Sequence, residues 1–208
     1  MNAPIRIILA DDHPSLRAGL ASILNAQPDL TVVAEAGSGS ETLAKAAIAQ
    51  PDLFIVDLRM PDGDGIETIR KLVEADPATK VLVMTTYDNE EDIFKALEAG
   101  ARGYILKDTT REEIIEAVRQ THSGNRYLPP AIAARLADRM IRPSLTPREF
   151  DVLRLVARGR SNKEIASAMF VTEETIKSHM KGLFQKLEVH DRAEAVSTAL
   201  HRGLLRID

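Results

Sequence analysis

Short apolar runs recur along the first half of this chain, and each is followed by a polar or charged residue or by a glycine turn. Ile5-Arg6-Ile7-Ile8-Leu9-Ala10 precedes Asp11-Asp12, and Thr31 to Ala36 precedes a Gly-Ser loop. Leu53-Phe54-Ile55-Val56 precedes Asp57, Val81-Leu82-Val83-Met84 precedes Thr85, and Gly103-Tyr104-Ile105-Leu106 precedes Lys107. Their length and β-branched content predict strands. Between them the apolar positions take helical spacing, over roughly Pro14 to Ala26, Ser40 to Gln50, Gly65 to Ala75, Glu90 to Ala99 and Thr110 to His122. Gly100 reads as a helix stop, and Thr110-Arg111-Glu112-Glu113 has the spacing of a capping box. Strands that are apolar almost throughout need cover on both faces. Right-handed crossovers then make a doubly wound α/β fold with a five-stranded parallel sheet the economical solution.

The strand pattern stops after His122. Ser123-Gly124-Asn125 closes the last helix of the alternating region, and Pro129-Pro130 opens a short helical pattern over Ala131 to Met140, which Arg142-Pro143-Ser144 breaks. Such a linker helix either spaces two domains or transmits a change between them. From Leu145 onward the pattern is helical only. Thr146-Pro147-Arg148-Glu149 combines an N-cap, a first-turn proline and a capping-box Glu, and Ser161-Asn162-Lys163-Glu164 repeats the box. Thr172 and Asp191 are further N-caps, giving four helices near 147–158, 162–169, 173–187 and 192–203. The short turn Phe170-Val171 between the second and third has helix-turn-helix spacing, with Ala166 and Ile176 suited to the inner contact. The expected organisation is a domain over 1–122, a linker over 123–143 and a small all-α domain over 144–208.

Composition narrows the chemistry. The 208 residues are 44% hydrophobic and 28% charged, and there is no cysteine, which excludes disulfides, thiolate nucleophiles and cysteine-ligated zinc. No signal-peptide pattern or apolar run of membrane-spanning length is visible, so a cytoplasmic location is expected. Residues 1–129 carry 13 Lys+Arg against 21 Asp+Glu, whereas residues 144–208 carry 11 against 9. The first domain therefore suits a cation and the second is the better nucleic-acid binder.

In the predicted fold Asp11, Asp12, Asp57, Thr85 and Lys107 all fall at one edge of the sheet, where α/β proteins collect ligands. Taken singly, each has an ordinary structural reading as a turn, strand or solvated residue. Taken together, clustered carboxylates favour a hard divalent ion such as Mg²⁺, and an aspartate beside an ammonium can accept a phosphoryl group. Asp62-Gly63-Asp64-Gly65 reads as a turn and Gly37-Ser38-Gly39-Ser40 as a loop lacking the Gly-Lys-Ser/Thr of a phosphate-binding loop.

Residues 4–122 resemble the receiver domain of bacterial two-component response regulators. The resemblance rests on Asp11-Asp12-His13-Pro14, on Asp57-Leu58-Arg59-Met60-Pro61-Asp62-Gly63, on Met84-Thr85-Thr86-Tyr87 and on Gly100 to Asp108. It implies that Asp57 is the phosphoacceptor, that Asp11, Asp12, Asp57 and the backbone carbonyl of Arg59 hold Mg²⁺, that Lys107 holds a phosphoryl oxygen, and that Thr85 and Tyr104 form a switch pair. It also implies a sensor histidine kinase as phosphodonor. Lys107 is followed by Asp108 rather than proline, which resembles the NarL/FixJ class.

In the all-α region Ile176, Met180, Leu183, Phe184 and Leu187 share one helical face and Glu174, Lys177, Ser178, Lys181 and Gln185 the opposite one. A helix presenting two lysines suits a DNA major groove, although lysines so spaced also form ordinary solvated faces. His179 lies beside the apolar stripe and reads as a packed histidine. Leu145-Thr146-Pro147-Arg148-Glu149, Ser161-Asn162-Lys163-Glu164-Ile165-Ala166 and Thr175-Ile176-Lys177-Ser178-His179-Met180 resemble LuxR-type helix-turn-helix domains over residues 145–204. This implies groove contacts by Lys177, Ser178 and Lys181, phosphate contacts near Thr172, Thr175 and Lys163, and a homodimer on promoter DNA. Val196, Ala199, Leu200 and Gly203 are the candidate dimer residues; the same residues could instead complete the domain's core. The expected protein is a phosphorylation-controlled transcription regulator. Two alternatives remain. An aspartyl-phosphate hydrolase would need a second aspartate where Arg59 stands, and a DNA binder independent of phosphorylation would leave the acidic site without use.

Overall fold

The structure, a computed structural model, describes residues 3–61 and 63–205. The chain divides into two compact units, the first taking residues to Asp88 and Asp92–Leu136, the second Asn89–Glu91 and residues from Ala137 onward.

In the first unit, β1 (Ile5–Ala10), β2 (Leu30–Ala36), β3 (Leu53–Val56), β6 (Val81–Thr85) and β7 (Gly103–Leu106) form one parallel sheet in the order β2-β1-β3-β6-β7. The order reverses direction between β1 and β3, which is the switch point where such sheets open a crevice at their carboxyl ends. Strand alternation sorts the core into two layers. Ile8, Ala10, Phe54, Val56 and Val83 pack with Ile66, Ile69 and Leu72 of α3 (Gly65–Ala75) and with Ile93 and Ala96 of α4 (Glu90–Glu98). Ile7, Leu9, Leu53, Ile55 and Met84 pack with Leu20 and Leu24 of α1 (Pro14–Asn25) and with Ile114 and Val118 of α5 (Arg111–His122). Thus the doubly wound sheet predicted from continuous apolar runs is present, and the Thr110 capping box that starts α5 is fully formed.

Two features of this unit go beyond the sequence reading. A short antiparallel hairpin follows Asp57, pairing β4 (Arg59–Met60) with β5 (Gly63–Asp64); Asp62 of the predicted turn lies outside the described residues. Gly65, at the start of α3, donates its N–H to Leu58 O at 3.0 Å, and a Cβ there would stand 2.7 Å from the Leu58 Cα. Only glycine lets α3 begin so close to the loop that carries Asp57. The second feature is the linker. Tyr127 joins the free edge of β7: its N–H donates to Arg102 O at 3.1 Å and its carbonyl accepts from Tyr104 N–H at 2.9 Å. Ile132, in the first turns of α6 (Pro130–Ile141), is buried in the same core layer as Tyr104. Burial of one such side chain is worth about 2 kcal/mol, so this half of the linker helix is part of the first unit rather than a free spacer.

The second unit contains α7 (Pro147–Ala157), α8 (Asn162–Met169), α9 (Glu173–Leu187) and α10 (Arg192–His201). Their starts agree with the caps read from sequence: Thr146 and Ser161 form complete capping boxes, and the Thr172 and Asp191 side chains accept from Thr175 and Glu194 backbone N–H groups. Val152, Leu153, Ile165, Ala166, Ile176, Met180, Leu183 and Leu187 form one core, which buries four of the five residues of the predicted stripe together with Ala166, while the fifth, Phe184, packs against it half-buried. Phe170 ends α8 in the left-handed conformation, φ +56°, and is 94% exposed.

Glu149 links the cap to the core of this unit. Its carboxylate completes the Thr146 box and accepts from Lys186 Nζ at 2.7 Å. Burial pushes its pKa up, but the Lys186 and Thr146 hydrogen bonds outweigh that and hold it below the ordinary 4.5. A depressed folded pKa means stability that is fully present above 4.5 and lost as the pH falls through the folded value. Glu149→Gln is expected to cost about 2 kcal/mol at neutral pH and to flatten that acid-side loss, read from hydrogen exchange of the α7 and α9 amides between neutral and acid pH. Wild-type protection factors in the variant would contradict the role given to this pair.

Candidate functional site

The carboxyl edge of the sheet brings the predicted acidic, hydroxyl and ammonium residues together. Backbone bonds carry the ladder one step past the strands: Asp57 N–H donates to Ala10 O at 2.8 Å, Asp11 N–H to Ala36 O at 3.0 Å and Lys107 N–H to Thr85 O at 2.9 Å. These bonds fix the three side chains in a common register. Asp57 is 2% exposed, Asp11 is buried, and the Lys107 ammonium lies 2.7 Å from Asp57 Oδ2 and 2.8 Å from Asp11 Oδ2. Burial alone lowers the pKa of Lys107, but its hydrogen bonds to Asp11 and Asp57 outweigh that and raise it, so the group stays an ammonium at neutral pH.

The Oδ1 atoms of the same carboxylates face the other way. Asp11 Oδ1 accepts from His13 N–H at 2.8 Å, and Asp57 Oδ1 accepts from Arg59 N–H at 3.3 Å. Asp12 Oδ1 is buried, and His13 Nδ1 stands 2.7 Å from it. Donor atoms of Asp11, Asp12, His13 and Asp57 all lie within 4.8 Å of one another. Three carboxylates whose donor atoms converge, with a single ammonium on one side, form a donor set that fits a divalent cation. Arg59 begins β4 and meets this set through its N–H, which donates to Asp57 Oδ1.

Thr85 is fully buried at the end of β6, and Tyr104 is fully buried in β7. The two side chains are joined through a residue to which sequence reasoning assigned no role. Tyr87 donates its N–H to Thr85 Oγ1 at 3.4 Å and its carbonyl accepts the Tyr104 hydroxyl at 2.7 Å. Burial, reinforced by the negative charge of Asp92, pushes the Tyr104 pKa far up, which keeps the phenol a neutral donor. The Arg59 guanidinium lies over the Tyr87 ring, 4.3 Å from its centroid, and pairs with the buried carboxylate of Asp92 at 2.5 Å. Arg17 was likewise missed: it donates to the Asp11 carbonyl at 2.5 Å and pairs with Glu35 at 3.1 Å. The only sequence signal near these contacts is that Arg59 follows Asp57 by two positions and Tyr87 follows Thr85 by two.

On α9, Lys177, Ser178 and Lys181 are exposed on the face opposite the buried stripe, and Lys163 is exposed on α8. Lys177 pairs with Glu174 at 3.1 Å on the surface, a contact worth little. Thr172 and Thr175 bond one another through their hydroxyls at 2.8 Å while capping α9, so a phosphate there would compete with the cap. His179 is half-buried beside the stripe. Of the four candidate dimer residues, Ala199 is fully buried in the domain core and Val196 packs partly against it, whereas Leu200 and Gly203 are half-exposed. Ala199 therefore completes this unit's core rather than its surface. No helix among the described residues is long and apolar enough to cross a membrane.

Comparison with known proteins matches the same two units. Residues 7–119 match the response regulator receiver domain, and residues 143–199 match the bacterial regulatory proteins of the luxR family. Response regulator protein VraR of Staphylococcus aureus is 39% identical, with 97% of this chain and 99% of VraR covered. Response regulator ChrA, from a haem-sensing two-component system, is 41% identical with a TM-score of 0.58, covering 98% of this chain and 100% of that one. RcsB, solved as two dimers bound to two parallel DNAs, is 26% identical with a TM-score of 0.73, covering 95% of this chain and 98% of that one.

Proposed function

Because the chain belongs to the two-component response regulators, with a receiver domain followed by a LuxR-type DNA-binding domain, we propose that it is a transcription regulator switched by phosphorylation of Asp57. The observation that carries this reading is the buried Asp57 carboxylate held 2.7 Å from the Lys107 ammonium, with Asp11 and Asp12 beside it. A sensor histidine kinase is the phosphodonor: an Asp57 oxygen forms the new P–O bond as the P–N bond of phosphohistidine breaks and the imidazole leaves with the bonding electrons. Lys107 neutralises a phosphoryl oxygen, and Asp11, Asp12, Asp57 and the Arg59 carbonyl would hold Mg²⁺. When bound, that ion supplies positive charge to the equatorial oxygens.

Thr85 and Tyr104 form the switch pair. In the structure they meet through the Tyr87 backbone, so a Thr85 hydroxyl drawn to the phosphoryl group gives up its bond from Tyr87 N–H and frees the loop that the Tyr104 hydroxyl holds. The receiver occupies residues 1–122, the linker 123–143 and the DNA-binding domain 144–208, with the docked half of α6 lying on the receiver side. Lys177, Ser178 and Lys181 contact the major groove of promoter DNA, and Lys163, Thr172 and Thr175 lie near phosphates. A homodimer forms through α10, with Leu200 and Gly203 as its surface positions. The protein acts in the cytoplasm.

Binding of a labelled promoter, recovered by selection from genomic fragments, tests the switch. Phosphorylated protein is expected to bind about 5- to 150-fold tighter than unphosphorylated protein, the range of a coupling free energy of roughly 1 to 3 kcal/mol. Equal affinity and equal dimerisation in both states would overturn it.

A further inference from the structure

We infer that His13 is a ligand of the receiver's cation site, and that it biases the site toward first-row transition ions such as Co²⁺ over Mg²⁺. This rests on the reading of Asp11, Asp12 and Asp57 as a metal site given above.

His13 occupies the N-cap position of α1, where a side chain ordinarily accepts from the first turn, yet its imidazole makes no cap hydrogen bond. The ring turns instead into the carboxylate cluster. Its Nδ1 stands 2.7 Å from Asp12 Oδ1 and 3.1 Å from Asp11 Oδ1. Adjacent ligands of an octahedral ion with bonds of about 2.1 Å are separated by about 3.0 Å, so one small cation can be shared by the three atoms. The oxygens concerned are also the right ones. Lys107 holds the Oδ2 atoms of Asp11 and Asp57, leaving Asp11 Oδ1 and the buried Asp12 Oδ1 beside His13, with a donor atom of Asp57 within 4.8 Å of the set.

An unprotonated imidazole changes what this set prefers. Mg²⁺ is a hard ion that takes carboxylate, carbonyl and water oxygens, whereas Co²⁺, Ni²⁺ and Zn²⁺ gain affinity from nitrogen. The oxygen ligands alone serve either ion, and the His13 nitrogen rewards only the second group. Because the His13 side chain is 65% exposed, it can be truncated without opening the core.

Calorimetric titration of the full chain with Mg²⁺ and separately with Co²⁺ tests this, comparing wild type, His13→Ala and Asp12→Asn. His13→Ala is expected to lose about tenfold or more in Co²⁺ affinity and to stay within about twofold for Mg²⁺, while Asp12→Asn weakens both ions. Pulsed EPR of the Mn²⁺-loaded chain gives a second readout: nitrogen modulation in wild type that disappears in His13→Ala. Unchanged Co²⁺ affinity, equal losses for both ions, or no nitrogen modulation in wild type overturns the role of His13 while leaving the Mg²⁺ site intact. A wild-type chain that binds neither ion overturns the metal site and this inference with it.

Discussion

Asp57→Asn is expected to abolish phosphoryl acceptance while leaving the receiver folded. The carboxamide keeps the size of the side chain but has no anionic oxygen to form the P–O bond, so the loss is complete rather than graded. Folding survives because the position is over-determined by its neighbours. The Asp57 N–H stays bonded to Ala10 O, and Lys107 keeps the Asp11 carboxylate at 2.8 Å. Removing one of several clustered negative charges also relieves repulsion among Asp11, Asp12 and Asp57, which offsets the lost Lys107 contact, so stability is expected to stay within about 1 kcal/mol of wild type. Intact-mass measurement after incubation with a small phosphodonor and Mg²⁺ reads the chemistry, and urea unfolding reads the fold. A variant that still gains one phosphoryl group, labile to hydroxylamine, would place the acceptor elsewhere.

The sheet and the caps were legible because they depend on local pattern. Leu53-Phe54-Ile55-Val56 has no polar position to turn toward solvent, so it needs helices on both sides. Thr146 and Ser161 are followed at the required spacing by Glu149 and Glu164, and each box formed. Site membership was legible for a related reason: in a parallel sheet every strand end lies on one edge, so residues after different runs must converge. The partners of those residues were not legible. Arg59 meets Asp92 across 33 positions and Tyr87 across the sheet edge, contacts that depend on side-chain direction rather than periodicity. The linker helix shows the same limit. Its apolar spacing predicted a helix, but nothing in it says that Ile132 packs behind Tyr104 while Met140 and Ile141 stay exposed. Ala199 was legible only as an alternative, since a small residue on a terminal helix fits a dimer seam or a tight core equally well, and its full burial selects the core.

Lys177→Ala combined with Lys181→Ala is expected to reduce promoter affinity by roughly 10²-fold or more, since each well-placed contact in the major groove is worth about 1 to 3 kcal/mol and a dimer presents two recognition helices. Both side chains are exposed and opposite the α9 stripe of Ile176, Met180 and Leu183, so the fold of the second unit is not at stake. The single variants separate the two kinds of contact. A lysine on a phosphate weakens all sequences alike and lowers the slope of log affinity against log salt by about 1, whereas a lysine on guanine relaxes preference at one base pair. Fluorescence anisotropy on the selected promoter and on single-base variants, at several salt concentrations, distinguishes them. Phosphorylation at Asp57 is the internal control, because the double variant changes no residue of the first unit. Wild-type affinity in the double variant would remove α9 as the reading element and turn attention to Lys163 and the exposed Phe170 at the turn before it.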